Sequence, residues 1–319
     1  MYKLSICIPT YNRSNFLSEC IDSLLDSIHS YENLVEVLVL DNSSTDNTRD
    51  VMNSICAKYS FIKYFRNSTN IGAEANFFLS AVKAKGRYCL ILGDDDKLEL
   101  SAVKIILNTI EKQKEPALII MNYSLHSKNF ESVLSNSFHN KQNDLYFSNK
   151  NSVMDEFGPT LSFISSVVFQ REAIGMINIE NYDYFKEYGF SFLYMIYDYL
   201  SQNETAFYIN TPLIRQRTNN STINIKKFFF IGMPLVFGRL RESGYSKSTL
   251  LSAKEQIFEK YLKYHLLSMK LNYINIDDEI KRLTYSILLS RKSRVKAFIL
   301  LYFPSGFFVF LRMLKRLTT

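Results

Sequence analysis

Three consecutive carboxylates, Asp94-Asp95-Asp96, follow the apolar run at residues 88–92 and a single glycine, Gly93. Side by side they repel one another, a cost that a bound cation would remove. Hard divalent ions such as Mg²⁺ or Mn²⁺ take oxygen ligands, commonly one or two protein carboxylates completed by substrate phosphates. The same triplet also reads as a solvated turn that gives the following helix an acidic N-terminus. Asp41-Asn42-Ser43-Ser44-Thr45-Asp46 has a comparable double reading. Ser44 or Thr45 can cap a helix, while Asp41, at a strand end, can accept from a nucleobase or ribose. Both roles are compatible. A third polar group, Thr10-Tyr11-Asn12-Arg13, follows Pro9 and the strand-like run at 3–8.

These groups need elements to position them. Strand-like runs at 3–8, 35–40, 61–65, 88–92 and 117–122 alternate with helical patterns at 45–59, 73–84 and 101–112. Between the first two runs, Phe16, Leu17, Cys20, Ile21, Leu24, Leu25 and Ile28 recur at helical spacing. Strands separated by helices of this length imply right-handed crossovers and an α/β fold with a mostly parallel sheet, helices on both faces. Such a sheet takes ligands at the carboxyl ends of its strands, where all three polar groups fall. Residues 123–160 are polar and rich in Asn and Ser, reading as an irregular insertion or as loops on the acceptor side. A further strand is expected at 163–169, a helix at 191–200 and a short strand at 207–209, ending before Pro212. From 226 onward the pattern is helical, amphipathic at 247–270 and 277–289. The expected organisation is a catalytic α/β domain over 1–215 and a helical C-terminal region over 216–319.

Composition narrows the function. With 47% apolar and 22% charged residues, the 319-residue chain buries a core and is not disordered. No two of its 10 glycines lie closer than six residues apart, which excludes the G-x-G-x-x-G and G-x-x-x-x-G-K phosphate loops. Four His and four Cys are scattered without metal-ligand spacing, against a zinc site and in keeping with a reducing compartment. The first residues lack the small-residue cleavage site of a secretory leader. Residues 291–319 carry Arg291, Lys292, Arg294, Lys296, Arg312, Lys315 and Arg316 and no acid. Removing these seven from 38 basic residues leaves 31, equal to the 31 acidic ones, so the net +7 sits in the tail. A neutral body argues against nucleic-acid binding, and a basic tail points to an anionic surface. Residues 297–311 are free of charge but broken by Pro304-Ser305-Gly306. That is too short to span a bilayer comfortably and suits an interfacial segment on an anionic leaflet. A core helix with solvated basic ends is the alternative, and the Phe-rich residues 228–237 pose the same question.

Four segments, in order, resemble the motifs of glycosyltransferase family 2: Ser5-Ile6-Cys7-Ile8-Pro9-Thr10-Tyr11-Asn12-Arg13, then Leu40 through Asp46, then Asn70-Ile71-Gly72 with Asn76, then Leu92-Gly93-Asp94-Asp95-Asp96. The likeness covers roughly residues 1–215, is concentrated before residue 100, and looks most like bacterial O-antigen enzymes, including the abequosyltransferase branch. It implies a GT-A fold and inverting transfer from a nucleotide diphosphate sugar. By resemblance, Pro9 and Tyr11 line the nucleobase pocket, with Arg13 and Asn76 also on the donor side. Asp41 binds the base edge, Asp95 the ribose, and Asp96 the Mn²⁺ or Mg²⁺ that bridges the diphosphate.

Two departures stand out. Gly93 occupies the first position of the common Asp-x-Asp-Asp form, leaving Asp94-x-Asp96 as the alternative pairing. Where the family carries a carboxylate base at a helix start, this chain has Ser191-Phe192. Asp183, Glu187 and Asp198 are the nearby candidates, Glu187 being favoured, with Asp155 or Glu156 as fallbacks. The implied enzyme sits in the cytoplasm, peripheral on the inner membrane face, and extends a lipid-linked glycan. Transfer to a polyprenyl phosphate is the alternative within this fold. An inactive nucleotide-sugar-binding scaffold is the alternative outside it.

Overall fold

The β-branched run at the N-terminus forms β1 (Leu4–Thr10), in which every residue is buried. β2 (Val35–Asp41) is buried throughout as well. Strands covered on both faces read as continuous apolar runs, which is why neither alternates. β3 (Ile62–Arg66) and β4 (Tyr88–Ile91) complete a block in which β3, β2, β1 and β4 lie side by side, all parallel. Helices α1 (Ser14–Ile28), α2 (Thr48–Lys58) and α3 (Ala73–Val82) make the crossovers. The structure, a computed structural model, describes residues 2–175, 187–218 and 224–317, with side chains through Arg312. Asp183 lies outside the described residues.

Beyond β4 the sheet changes direction. β5 (Lys97–Leu98), α4 (Ala102–Lys112), β6 (Leu118–His126), β7 (Val133–Ser135), β8 (Leu145–Phe147), β9 (Val167–Gln170) and β10 (Ala206–Arg217) follow in sequence. β9 inserts antiparallel between β4 and β6, so the mostly parallel expectation holds for the first block and the whole sheet is mixed. The expected strand at 163–169 begins later, after a short 3₁₀ turn at Ile164–Ser166. The strand expected at 207–209 runs through Pro212 to Arg217, with register shifts on either side of Pro212. Proline lacks the N–H a ladder needs, and a bulge accommodates it. The polar stretch 123–160 is not wholly irregular: β7, β8 and a helix at Lys150–Phe157 lie in it.

The core forms where α1 and α4 pack on the sheet. Leu17, Ile21, Leu24 and Ile28 from α1 and Val103, Ile106 and Ile110 from α4 cluster with Ile6, Ile8, Val37, Val39 and Leu90. At about 25 cal/mol per Å² of apolar surface removed from water, this cluster is what holds the strand ends in place.

The chain groups into two units that interleave in sequence. One comprises Met1–Lys150, Leu161–Lys186 and Ser191–Thr222; the other comprises Asn151–Thr160, Glu187–Phe190 and Ile223–Thr319. The second is helical and carefully capped. Ser246 accepts from Thr249 N at 3.1 Å, Asp277 from Ile280 N at 2.7 Å and Ser290 from Ser293 N at 3.1 Å. Phe230 and Phe237 are buried within it, and Phe229 stacks on Tyr261 at 5.1 Å, so the Phe-rich segment is core there. The last two helices, Arg291–Tyr302 and Ser305–Leu317, meet at a break around Pro304. Among the described residues no single helix is long and apolar enough to cross a membrane; this pair passes by length only together, bent by 103°.

Candidate active site

The acidic turn closes where β4 ends. Leu92 N donates to Cys7 O, and Asp96 N donates to Gly93 O at 3.1 Å. Each carboxylate is then fixed separately. Thr10 Oγ1 donates to Asp94 Oδ2 at 2.7 Å, and Arg13 Nη1 lies 3.1 Å from both Asp94 Oδ1 and Asp95 Oδ2. Asp96 Oδ2 accepts from Ser165 Oγ at 2.7 Å and Oδ1 from Arg217 N at 3.2 Å. Arg217 also donates to Asp95 O and Glu19, which ties the end of β10 to the turn. The glycine at 93 has a steric cause. A Cβ there would stand 2.9 Å from Asp96 Oδ2 and 3.1 Å from Asp95 Oδ1. An aspartate at 93 would displace the carboxylates that follow it.

Electrostatics set this turn apart. Burial, reinforced by Asp95, pushes the Asp94 carboxyl up to about 6, although Arg13 and Thr10 pull the other way. Asp96 is raised as well, again by burial first and Asp95 second. Burial works against the charge on Arg13, and Asp94 and Asp95 more than restore it. Arg13 thus pairs with Asp94 and Asp95, while Asp96 is held by the Ser165 hydroxyl and the Arg217 amide. Among the described residues no three His, Cys, Asp or Glu side chains are arranged to cage a metal by themselves. An all-oxygen, under-neutralised donor set of this kind fits a divalent ion completed by ligand phosphates, not a closed protein cage.

The turn opens on a cavity of about 420 Å³, within the usual range for small-ligand sites. Pro9, Tyr11, Arg13, Asn76 and Asp94 through Asp96 line it, joined by Asn42, Asn70, Phe77 and Ser165. Tyr11 is 43% exposed. Asn76 borders the cavity but is committed elsewhere, donating to Leu40 O and accepting from Asn67 Nδ2. With Asn42, which accepts from Ile71 N and donates to Gly72 O, it fixes the turn that starts α3.

Asp41 departs from expectation. It is fully buried and does not line the cavity. Its carboxylate accepts from Ser44 N at 2.7 Å and Tyr64 OH at 2.6 Å and pairs with Arg66 Nε at 3.2 Å. It therefore shapes the loop after β2. The candidate bases are not brought to the cavity either. Glu187 is 68% exposed and lies 3.5 Å from Lys227 Nζ within the helical unit. Asp198 sits midway along the helix Ser191–Asn203 and does not line the cavity. Asp155 accepts from Thr249 Oγ1 at 3.3 Å in the helical unit. At the start of Ser191–Asn203 the structure instead places Glu74, whose Oε2 accepts from Ser191 N at 3.3 Å. No local motif marks Glu74, because its partner is 117 residues away in sequence.

A sheet wound this way, with an acidic turn at the carboxyl end of a central strand, is of the GT-A type. The chain belongs to glycosyl transferase family 2, whose model matches residues 5–170. It is 29% identical to abequosyltransferase RfbV of Salmonella typhimurium over 238 residues, 70% of this chain and 69% of that protein. Among solved structures it is similar to S. aureus TarS in complex with UDP, with a TM-score of 0.63 at 16% identity, covering 93% of this chain and 88% of the other. It is similar also to the mannosyltransferase PcManGT from Pyrobaculum calidifontis in complex with GDP-Man and Mn²⁺, with a TM-score of 0.58 at 10% identity over 93% and 84% of the two chains.

Proposed function

We propose that this glycosyltransferase transfers a sugar from a nucleotide diphosphate sugar to a lipid-linked oligosaccharide during synthesis of a bacterial surface polysaccharide of the O-antigen kind. The observation that carries the reading is the meeting of a partly exposed aromatic residue, Tyr11, with the acidic turn Asp94-Asp95-Asp96 in one cavity. Tyr11 and Pro9 hold the base with Arg13 nearby, and Asp95 meets the ribose. Asp96, with Asp94, would hold a divalent cation there, which when bound neutralises charge on the leaving diphosphate. Donor binding and transfer belong to residues 1–215. Residues 216–319 hold the enzyme to the inner face of the membrane, a reading supported by exposed Phe298, Tyr302, Phe307 and Phe310 beside basic Arg291, Lys292 and Arg294.

The test is Asp96→Asn in a transfer assay with labelled nucleotide diphosphate sugars and Mn²⁺. An amide cannot match a carboxylate's attraction for a divalent ion, so transfer is expected to vanish while the melting temperature stays near that of the wild type. Near-normal turnover would remove Asp96 from the donor site. Supplying either a lipid-linked oligosaccharide or a bare polyprenyl phosphate as acceptor separates the two transfer readings.

A further inference from the structure

The acidic turn is held from two directions. Asp94 and Asp95 are fixed by Thr10 and Arg13, at the end of β1 and just beyond it. The Asp96 carboxylate is held from much further along the chain, by Ser165 Oγ at 2.7 Å and Arg217 N at 3.2 Å. Among the described residues Asp96 takes part in no ion pair, and Ser165 is the one side chain that hydrogen-bonds it. Ser165 belongs to the 3₁₀ turn Ile164–Ser166, is fully buried and lines the cavity beside Asp96.

The hydroxyl has a fixed direction. Gly93 N donates to Ser165 Oγ at 2.9 Å, and an amide can only donate. The single hydroxyl proton is therefore the one given to Asp96 Oδ2. One oxygen thus grips both ends of the segment from Gly93 to Asp96. Its room depends on the glycine, because a Cβ at 93 would stand 3.3 Å from Ser165 Oγ. The turn that carries it is firmly placed. Ser166 N and Oγ both donate to Phe163 O, at 3.0 and 2.7 Å, and the Phe163 ring packs 4.5 Å from that of Tyr123. Val167 and Val168 then enter the sheet opposite Ile120 and Leu90. A carboxylate offers about four lone-pair directions. Ser165 and Arg217 take two, which orients Asp96 without saturating it.

We propose that Ser165 is a positioning residue for the divalent ion of the donor site, fixing the orientation in which Asp96 presents its free lone pairs. The assignment rests on the proposed function above, in which Asp96 holds that ion. Partners that orient a ligating group commonly set metal affinity by about 10- to 100-fold. The reversed direction of β9 has its use here. Because β9 runs antiparallel to β4, its first residues meet the carboxyl end of β4, where the acidic turn begins. A parallel strand in the same place would bring its last residues there instead.

The test is a Mn²⁺ titration on the full chain, read in two ways. One is the thermal shift that saturating UDP, GDP, CDP or dTDP produces as Mn²⁺ is added. The other is the rate of transfer from labelled nucleotide diphosphate sugars over the same Mn²⁺ range. Ser165→Ala removes one oxygen and leaves the Gly93 amide without its acceptor, so its melting temperature without metal is expected to fall somewhat. That part is structural and does not depend on Mn²⁺. Beyond it, the Mn²⁺ concentration at half-effect is expected to rise by about 10- to 100-fold in both readouts, with the transfer rate recovering at saturating Mn²⁺. Ser165→Thr keeps the hydroxyl and is expected to bring the midpoint back toward that of the wild type. An unchanged midpoint in Ser165→Ala, or one as displaced in Ser165→Thr as in Ser165→Ala, overturns the assignment and leaves the donor site standing. A Mn²⁺-dependent nucleotide shift missing from the wild type itself overturns the donor-site reading and takes the role of Ser165 with it.

Discussion

Asp94, Asp95 and Asp96 were legible as a site because they are adjacent in the chain and end a strand, so local sequence alone aligns them. Tyr11 and Arg13 were legible for the same reason. Asp41 was legible only in its place. That it is consumed by Tyr64 and Arg66 depends on the neighbouring strand β3, which the motif does not encode. Glu74 was invisible, since its environment is made by Ser191 far downstream. Its raised titration carries a stability consequence. A carboxyl raised from 4.5 to about 7 contributes stability that is fully present below about pH 4.5 and lost as the pH rises through about 7. The ligand-free enzyme is therefore expected to lose melting temperature between pH 5 and pH 8, and Glu74→Gln to flatten that decline. Parallel melting curves for the two proteins would show that Glu74 ionises without penalty.

Among elements, the long periodic ones were the readable ones. The α1 face at Leu17, Cys20, Ile21, Leu24 and Ile28 is buried as its spacing requires. Elements set by tertiary partners were not readable: β9 reverses the sheet's direction, and β10 continues through a proline. The helix Arg291–Tyr302 shows how one acid can organise a basic element. Glu259 accepts from Ser293 Oγ at 3.0 Å, Lys263 at 3.0 Å and Lys296 at 2.7 Å. Its burial is outweighed by these partners, chiefly Lys296, which bring its carboxyl down to about 2. A depressed carboxylate contributes stability present above about pH 4.5 and lost as pH falls through about 2. Because these pairs are partly solvated, Glu259→Gln is expected to cost about 1 kcal/mol. Amide hydrogen exchange should rise across Arg291–Tyr302 while β1, β2 and β4 stay protected. Unchanged exchange in that helix would show the pairs to be passive.

On the scale of the molecule, charge and apolar exposure converge on the C-terminus. Val295, Phe298, Tyr302, Phe310 and Leu311 are all close to half exposed, and Arg291, Lys292, Arg294 and Arg312 lie in the same stretch. Each basic residue near an anionic leaflet contributes about 1 kcal/mol, which salt screens. We expect the protein to co-sediment with vesicles containing phosphatidylglycerol and not with purely zwitterionic ones. Phe307→Asp with Phe310→Asp should abolish pelleting without altering the nucleotide-induced thermal shift. Pelleting that is indifferent to lipid charge and to both substitutions would count against membrane docking by this stretch. This much was visible in the charge arithmetic of the sequence; the sharp bend at Pro304 was visible only as a break.

The proline-bearing irregularity of β10 has one more consequence. Pairing with β6 slips between Ile209 and Pro212 and again before Ile214, after which Arg217 sits opposite His126. Successive strand residues point to opposite sides, so a slip of one residue exchanges inside for outside. The extra residues around Pro212 thus decide that the Arg217 side chain turns toward Asp95 and Glu19 and not away from them. In this segment the number of residues carries the specification, more than their kind. Substitution of the exposed Thr211 is a minor event there, whereas loss of a single residue would aim an otherwise intact strand end at the wrong side. Descendants of this sequence should hold the length of that stretch fixed even where its exposed residues vary.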